Sequence, residues 1–151
     1  MLHPFHGGST PTYHVTCKGE QEMAIRIVRL GSPRNKNEGP RIGTVRRPPR
    51  GVRKEDYARL DYYDVWLPQL APSADLVRLA KHEATTERDW KLFEKGYRKE
   101  LSSADNQRLL DLLATLSQET NFSVGCYCED ETHCHRSILR RVLIERGASV
   151  T

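Results

Sequence analysis

The segment NFSVGCYC, residues 121–128, is followed after five residues by a helical pattern over 134–146, and this junction restricts the chain more than any other stretch. Phe122, Val124, Cys126 and Cys128 alternate toward one face, as in a strand, and Ile138, Leu139, Val142 and Leu143 then recur at helical spacing up to a stop at Gly147. A strand that passes through a short loop into a helix belongs to α/β architecture. Two more strand-like runs open the chain, at 24–30 and at RIGTVR, 41–46; the RPPRGVRKE that follows must leave the sheet, because paired prolines cannot continue a ladder. The stretch DYYDVWLPQLAP is interrupted by Pro68 and Pro72 and reads as an extended segment, with Tyr62, Tyr63 and Trp66 serving the core or, alternatively, an interface.

Between these runs the period is helical. Ser73 caps a helix to about His82, Thr86 caps a second that places Trp90, Phe93 and Tyr97 together, and 104–117 forms a third with Leu109, Leu110, Leu112, Leu113 and Leu116 on a broad apolar face. The expected fold is a compact three-layer α/β domain over 23–149, its small and mostly parallel sheet flanked by helices. Residues 1–22 carry no apolar period and read as a flexible extension; Met1 and Met23 are both candidate natural starts, and Cys17 is set apart from any site.

At 151 residues the chain is one domain by length, able to bury roughly 68–70% of its unfolded surface without disulfides. It has no apolar run long enough for a bilayer and no secretory signal at its start. The expectation is a cytoplasmic protein without a membrane partner, in which clustered cysteines are metal-binding or reactive rather than cross-linked. Charge is unevenly spread. Residues 26–54 hold ten Lys or Arg against one acid, Glu38, whereas 55–131 hold nine against sixteen. Such a basic arm attracts phosphate, in nucleotides, nucleic acid or small metabolites, or else is a solvated face.

CYCEDETHCHRS, 126–137, holds three of the four cysteines. With a strand before it and a helix after it, the loop lies at the strand's C-terminal end and Cys134 in the first helical turn, where the helix dipole, His135 and Arg136 favour a thiolate or a bound anion. Glu129, Asp130 and Glu131 oppose both unless they turn away. Cys134 is the candidate nucleophile, and His135 the candidate group exchanging a proton near neutral pH. The rival reading is a zinc or iron site of Cys126, Cys128, Cys134 and His135, or His133 in its place; the spacing matches no standard ribbon or finger. Cys126 also reads as a small buried hydrophobe. Arg136 lies two, eight and ten positions after Cys134, Cys128 and Cys126, so the Cys-x5-Arg loop of cysteine phosphatases is excluded, and Walker, G-x-G-x-x-G, H-E-x-x-H and G-x-S-x-G patterns are absent.

The blocks IRIVRLGSPR, RIGTVRRPPRGVRKE, WLPQLAPSADL, TERDWKLFEKGYRKEL and VGCYCEDETHCHRS occur in an order that resembles the YeaO-like proteins, DUF488, over residues 23–148. The resemblance implies a compact cytoplasmic α/β protein and leaves activity, cofactor and oligomeric state open. Its late motif falls on Cys126, Cys134, His135 and Arg136, and its basic block on Arg46, Arg47, Pro48 and Arg50; Cys128 departs from it. The expected site is therefore a phosphate-binding mouth in which Arg46, Arg47, Arg50 and Arg136 hold the anion beside Cys134 and His135.

Overall fold

The computed structural model describes residues 23–82 and 86–151; the predicted extension 1–22 lies outside them. Four strands, β1 (Ile25–Arg29), β2 (Arg41–Gly43), β3 (Val65–Trp66) and β4 (Phe122–Cys126), form one sheet in the order β1-β4-β2-β3 with every pair parallel. β4 is central, its Val124 opposite Ile27 on one side and Ile42 on the other. Helices α1 (Ala74–His82), α2 (Glu87–Leu101) and α3 (Ala104–Leu116) connect β3 to β4, and α4 (His135–Glu145) follows β4. Beyond α4 the chain returns to bridge Val150 to Ile25, a rudiment of a further parallel strand. No described helix is long and apolar enough to cross a membrane.

Helix starts are set by local chemistry. Ser73 accepts from the Leu76 amide at 3.3 Å, Thr86 and Asp89 form a reciprocal capping box, and Ser103 accepts from the Asn106 amide. The cap of α4 is the thiol of Cys134, which accepts from the Arg136 amide at 3.5 Å, so Cys134 sits at the cap and not within the first turn. Gly147, at φ +81°, ends α4 as expected.

The two faces of the sheet are covered differently. Ile25, Phe122 and Val124 join Phe93, Tyr97, Leu110, Leu113, Ile138, Leu139 and Leu143 in the main core. In α3 the buried stripe is Leu110, Leu113 and Ala114; Leu112 and Leu116 point outward, because a five-leucine run is wider than the contact one helix makes with the layer beneath it. The opposite face carries Ser123 and Gly125, where a Cβ on Gly125 would lie 2.6 Å from Leu30, and it is closed by loops 30–40 and 53–64. Those loops supply the third layer.

That layer is organised by Arg41, which is fully buried. Its guanidinium binds both Glu38 oxygens, at 2.7 and 3.0 Å, and donates to the carbonyls of Ser32 and Asp61; Glu38 in turn accepts from the Ser123 hydroxyl and the Asn35 amide. Burial opposes ionisation of Glu38, but these hydrogen bonds and the Arg41 charge outweigh it and hold the carboxyl at about 2.

Two strand expectations change. The ladder of β4 ends at Cys126, because its neighbours stop there: Leu30 donates to the Cys126 carbonyl and Thr44 to that of Gly125, and nothing extends beyond. Cys128 therefore leaves the strand face and is exposed. Trp66 is 42% exposed on the edge strand, its indole N–H donating to the Val45 carbonyl at 2.7 Å, whereas Tyr63 is buried.

A carboxyl held at about 2 instead of its ordinary 4.5 contributes roughly 3 kcal/mol at neutral pH. Its folded-state value is depressed, so this stability is complete above about pH 4.5 and is lost as pH falls toward 2. Glu38→Gln strands the buried Arg41 charge and should cost about 3–5 kcal/mol. Urea denaturation between pH 2 and 7 should show the variant less stable at neutral pH and flatter across the acid range; an unchanged midpoint at pH 7 refutes the assignment.

Candidate functional site

Because every strand is parallel, the loops after β1, β2, β3 and β4 all leave one edge of the sheet. Two direct bonds join the loop after β2 to the segment after β4, one from the loop and one from the start of α4. Tyr127 donates its hydroxyl to the Arg47 carbonyl at 2.9 Å, and His135 Nε2 lies 2.8 Å from the Thr44 carbonyl. Val45 packs with Leu30, Tyr63, Cys126 and Cys134 beneath them. The basic segment and the cysteine segment, some eighty residues apart in sequence, thus meet at one edge of the sheet.

There, ligand atoms of Cys126, Cys134 and His135 lie within 4.8 Å of one another, and all three residues are buried. A carbonyl only accepts, so the contact with Thr44 places the proton of His135 on Nε2 and leaves Nδ1 bare, 3.8 Å from the Cys134 sulfur. The ring meets Tyr97 edge-on at 5.6 Å. Burial lowers the His135 pKa to about 4, against the opposing pull of the Thr44 bond, so the imidazole is neutral at pH 7 and does not exchange its proton near neutrality.

The thiols divide in a way their order in the sequence does not reveal. Cys126 donates to Cys128 across 3.7 Å, and the hydrogen bonds from Cys126 and Cys134, assisted by the Arg136 charge, hold the exposed Cys128 thiol well below its usual range despite some burial. Cys126 moves the other way, through those same bonds and burial. Cys134 accepts help from Cys126, but its bond with Cys128 and its own burial push it up. Of these three thiols Cys128 is the exposed one, and the hydrogen bonds from Cys126 and Cys134 favour negative charge there over Cys134. The exposed position was hidden from sequence reasoning by the alternation that appeared to carry the strand on to Cys128.

The arginines also separate. Arg46 donates to the carbonyls of Ala71 and Pro72 and so fastens its loop to the segment after β3. Arg47 and Arg50 are exposed, and their guanidinium groups have no partner among the described residues. Arg136 is 3% exposed and donates to the Cys128 carbonyl at 2.7 Å, while its Nε finds no acceptor. A second buried donor, the Tyr63 hydroxyl, is likewise unsatisfied. The acids of the loop are drawn off: Glu129 pairs with Arg29, Asp130 with His133, and Glu131 with Arg140. His133 is thereby turned to the surface, away from the buried sulfurs.

Residues 25–147 match the family profile DUF488-N3a, described as the active DUF488-N3 subclade. No curated protein and no solved structure matches the chain.

Exposure sets the order of thiol modification. With chelator present, iodoacetamide should label Cys128 first and leave Cys126 and Cys134 protected until the domain is unfolded, as read by peptide mass mapping of time points. Labelling of Cys134 before Cys128 in the folded protein contradicts this arrangement.

Proposed function

The chain belongs to the DUF488 family, and from that premise and the chemistry of this edge of the sheet we propose that it binds a phosphate-bearing small molecule there and acts on it beside the cysteine cluster. The observation that carries the reading is Arg136, a buried guanidinium with no carboxylate partner among the described residues and with Nε lacking an acceptor. A buried guanidinium with no carboxylate partner and an unmatched donor carries a desolvation cost, and a ligand oxyanion reduces it. Position supports the choice: Arg136 lies in the first turn of α4, whose amides and dipole also favour an anion.

In this reading Arg47 and Arg50 reach the outer phosphate oxygens, Arg136 the inner ones, and Tyr63 supplies a neutral donor. Arg46 acts through the carbonyls it holds, setting the course of the loop. Cys134 and His135 form the inner wall, and Cys128 stands at the opening. The description of the subclade as active favours turnover over binding alone. A long nucleic-acid backbone fits less well than a small ligand, because Arg29, Arg34, Arg41 and Arg53 of the basic arm are already paired with Glu129, Asp64, Glu38 and Asp56, which reduces the charge the arm offers.

The test is thermal unfolding with inorganic phosphate, pyrophosphate and a panel of nucleotides. A ligand at about 100 times its Kd stabilises by about 2.7 kcal/mol, and each kcal/mol moves Tm by roughly 2–4 °C at this size. At least one of these ligands should raise Tm, and Arg136→Met should abolish the rise while leaving the free protein's Tm unchanged or higher, because the charge it removes is unpaired. Arg47→Glu with Arg50→Glu should weaken the effect without touching the fold, since both side chains are exposed. No stabilisation by any of the ligands, or equal stabilisation of Arg136→Met, refutes the proposal. Strong nucleic-acid binding that falls steeply with salt, without a small-ligand effect, replaces it.

A further inference from the structure

We propose that Cys126, Cys134 and Nδ1 of His135 form a binding site for a borderline-soft divalent metal, zinc foremost, with Cys128 closing the fourth position from the solvent side. The distances fit. Zinc–sulfur bonds of about 2.3 Å and zinc–nitrogen bonds of about 2.0–2.1 Å at tetrahedral angles place sulfurs about 3.8 Å apart and sulfur and nitrogen about 3.6 Å apart. The Cys126 and Cys128 sulfurs are 3.7 Å apart, and the Cys134 sulfur is 3.8 Å from Nδ1. The ligand atoms of Cys126, Cys134 and His135 already lie within 4.8 Å of one another, and a central ion would draw them closer; Cys128 is not within that group, so its exposed turn must shift inward to close the fourth position.

Orientation and donor type point the same way. Nδ1 is bare because Nε2 is bound to the Thr44 carbonyl, the arrangement by which an outer carbonyl fixes the tautomer and direction of a ligating imidazole. Thr44 itself is anchored, its hydroxyl donating to the Gly125 carbonyl at 3.0 Å, so the ring is held from β2 and β4 at once. The donors are two buried sulfurs and one imidazole, with the neighbouring carboxylates engaged elsewhere, a set that selects zinc over magnesium or calcium. Three inner ligands with a fourth on an exposed turn also supply an entry path: Cys128 is reached by solvent, and the ion passes inward from it.

The ion would not displace the phosphate reading, which stands on different atoms. With Cys126, Cys128 and Cys134 as thiolates, a divalent cation leaves the set with one net negative charge, and Arg136 is still without a carboxylate. Each thiol that ligates releases one proton to solvent, so affinity should rise with pH.

The experiment uses the full chain, stripped with chelator under reducing conditions and titrated with Co2+. The expected result is sulfur-to-cobalt charge transfer in the near ultraviolet with intense visible bands, saturating at one equivalent and abolished by stoichiometric Zn2+. Cys128→Ser should retain one ion with charge-transfer intensity lower by about a third, one thiolate in three. Cys134→Ser and His135→Ala should lose the tetrahedral spectrum. Where a variant does not fold, folded wild-type protein alkylated at Cys128 alone before titration replaces it and should give the spectrum expected of Cys128→Ser. Zinc or iron at one equivalent in the protein as purified supports the site. Absence of thiolate charge transfer in the wild type, or spectra of His135→Ala and Cys134→Ser identical to it, overturns the proposal. Arg47→Glu with Arg50→Glu should leave the Co2+ spectrum unchanged, which separates failure here from failure of the anion reading.

Discussion

The architecture rests on one buried ion pair. Arg41 at the start of β2 reaches Glu38 and two loop carbonyls, and Glu38 reaches Ser123 in β4. A sheet of short strands with helices on one face needs something on the other, and the loops that lie there have no regular ladder of their own to satisfy their polar groups. A planar guanidinium with five donors does that work at a single point, binding loops 30–40 and 53–64 to the two strands whose ends form the site. The Asp64 carboxylate adds to this by accepting from the Arg41 amide at 2.8 Å while pairing with Arg34. Burial alone opposes the Asp64 charge, but those bonds lower its pKa.

The contrast with Arg136 shows two different environments for a buried charge. Both arginines are nearly inaccessible. Arg41 has its donors matched by a carboxylate and two carbonyls, whereas Arg136 has one carbonyl and an orphan Nε. The first arrangement repays its desolvation within the fold. The second leaves a cost at the one edge of the sheet where four loops open, beside three sulfurs and an unprotonated imidazole nitrogen. Stability forgone at such a place is characteristic of sites built for a ligand.

Much of this was legible from residue order. Ser73, Thr86 and Gly147 mark helix ends by short-range chemistry, and the structure places them there. The strand–loop–helix of the cysteine block follows from a change of period that any fold must respect. Reading failed where an outcome depended on neighbours far along the chain. Cys128 continues an alternation that looks like strand, yet β4 stops two residues earlier because Leu30 and Thr44 are its last partners. Leu112 belongs to a leucine run but faces water. Arg46 and Arg47 are adjacent and chemically identical, yet one is consumed by the carbonyls of Ala71 and Pro72 and the other is exposed with no side-chain partner among the described residues.

By itself, then, the order of residues determined the elements, their caps, the parallel α/β class and the presence of a thiol-rich turn before a helix, since all of these follow from spacing along a few turns of backbone. Tertiary structure alone decided which of the three clustered sulfurs meets water, which nitrogen of His135 is bare, which arginine is buried without a carboxylate partner, and that Glu38 belongs with Arg41 and Ser123. Protonation, exposure and charge pairing are set by what surrounds a group in space, and in a parallel sheet those surroundings come from segments that only the crossovers bring together.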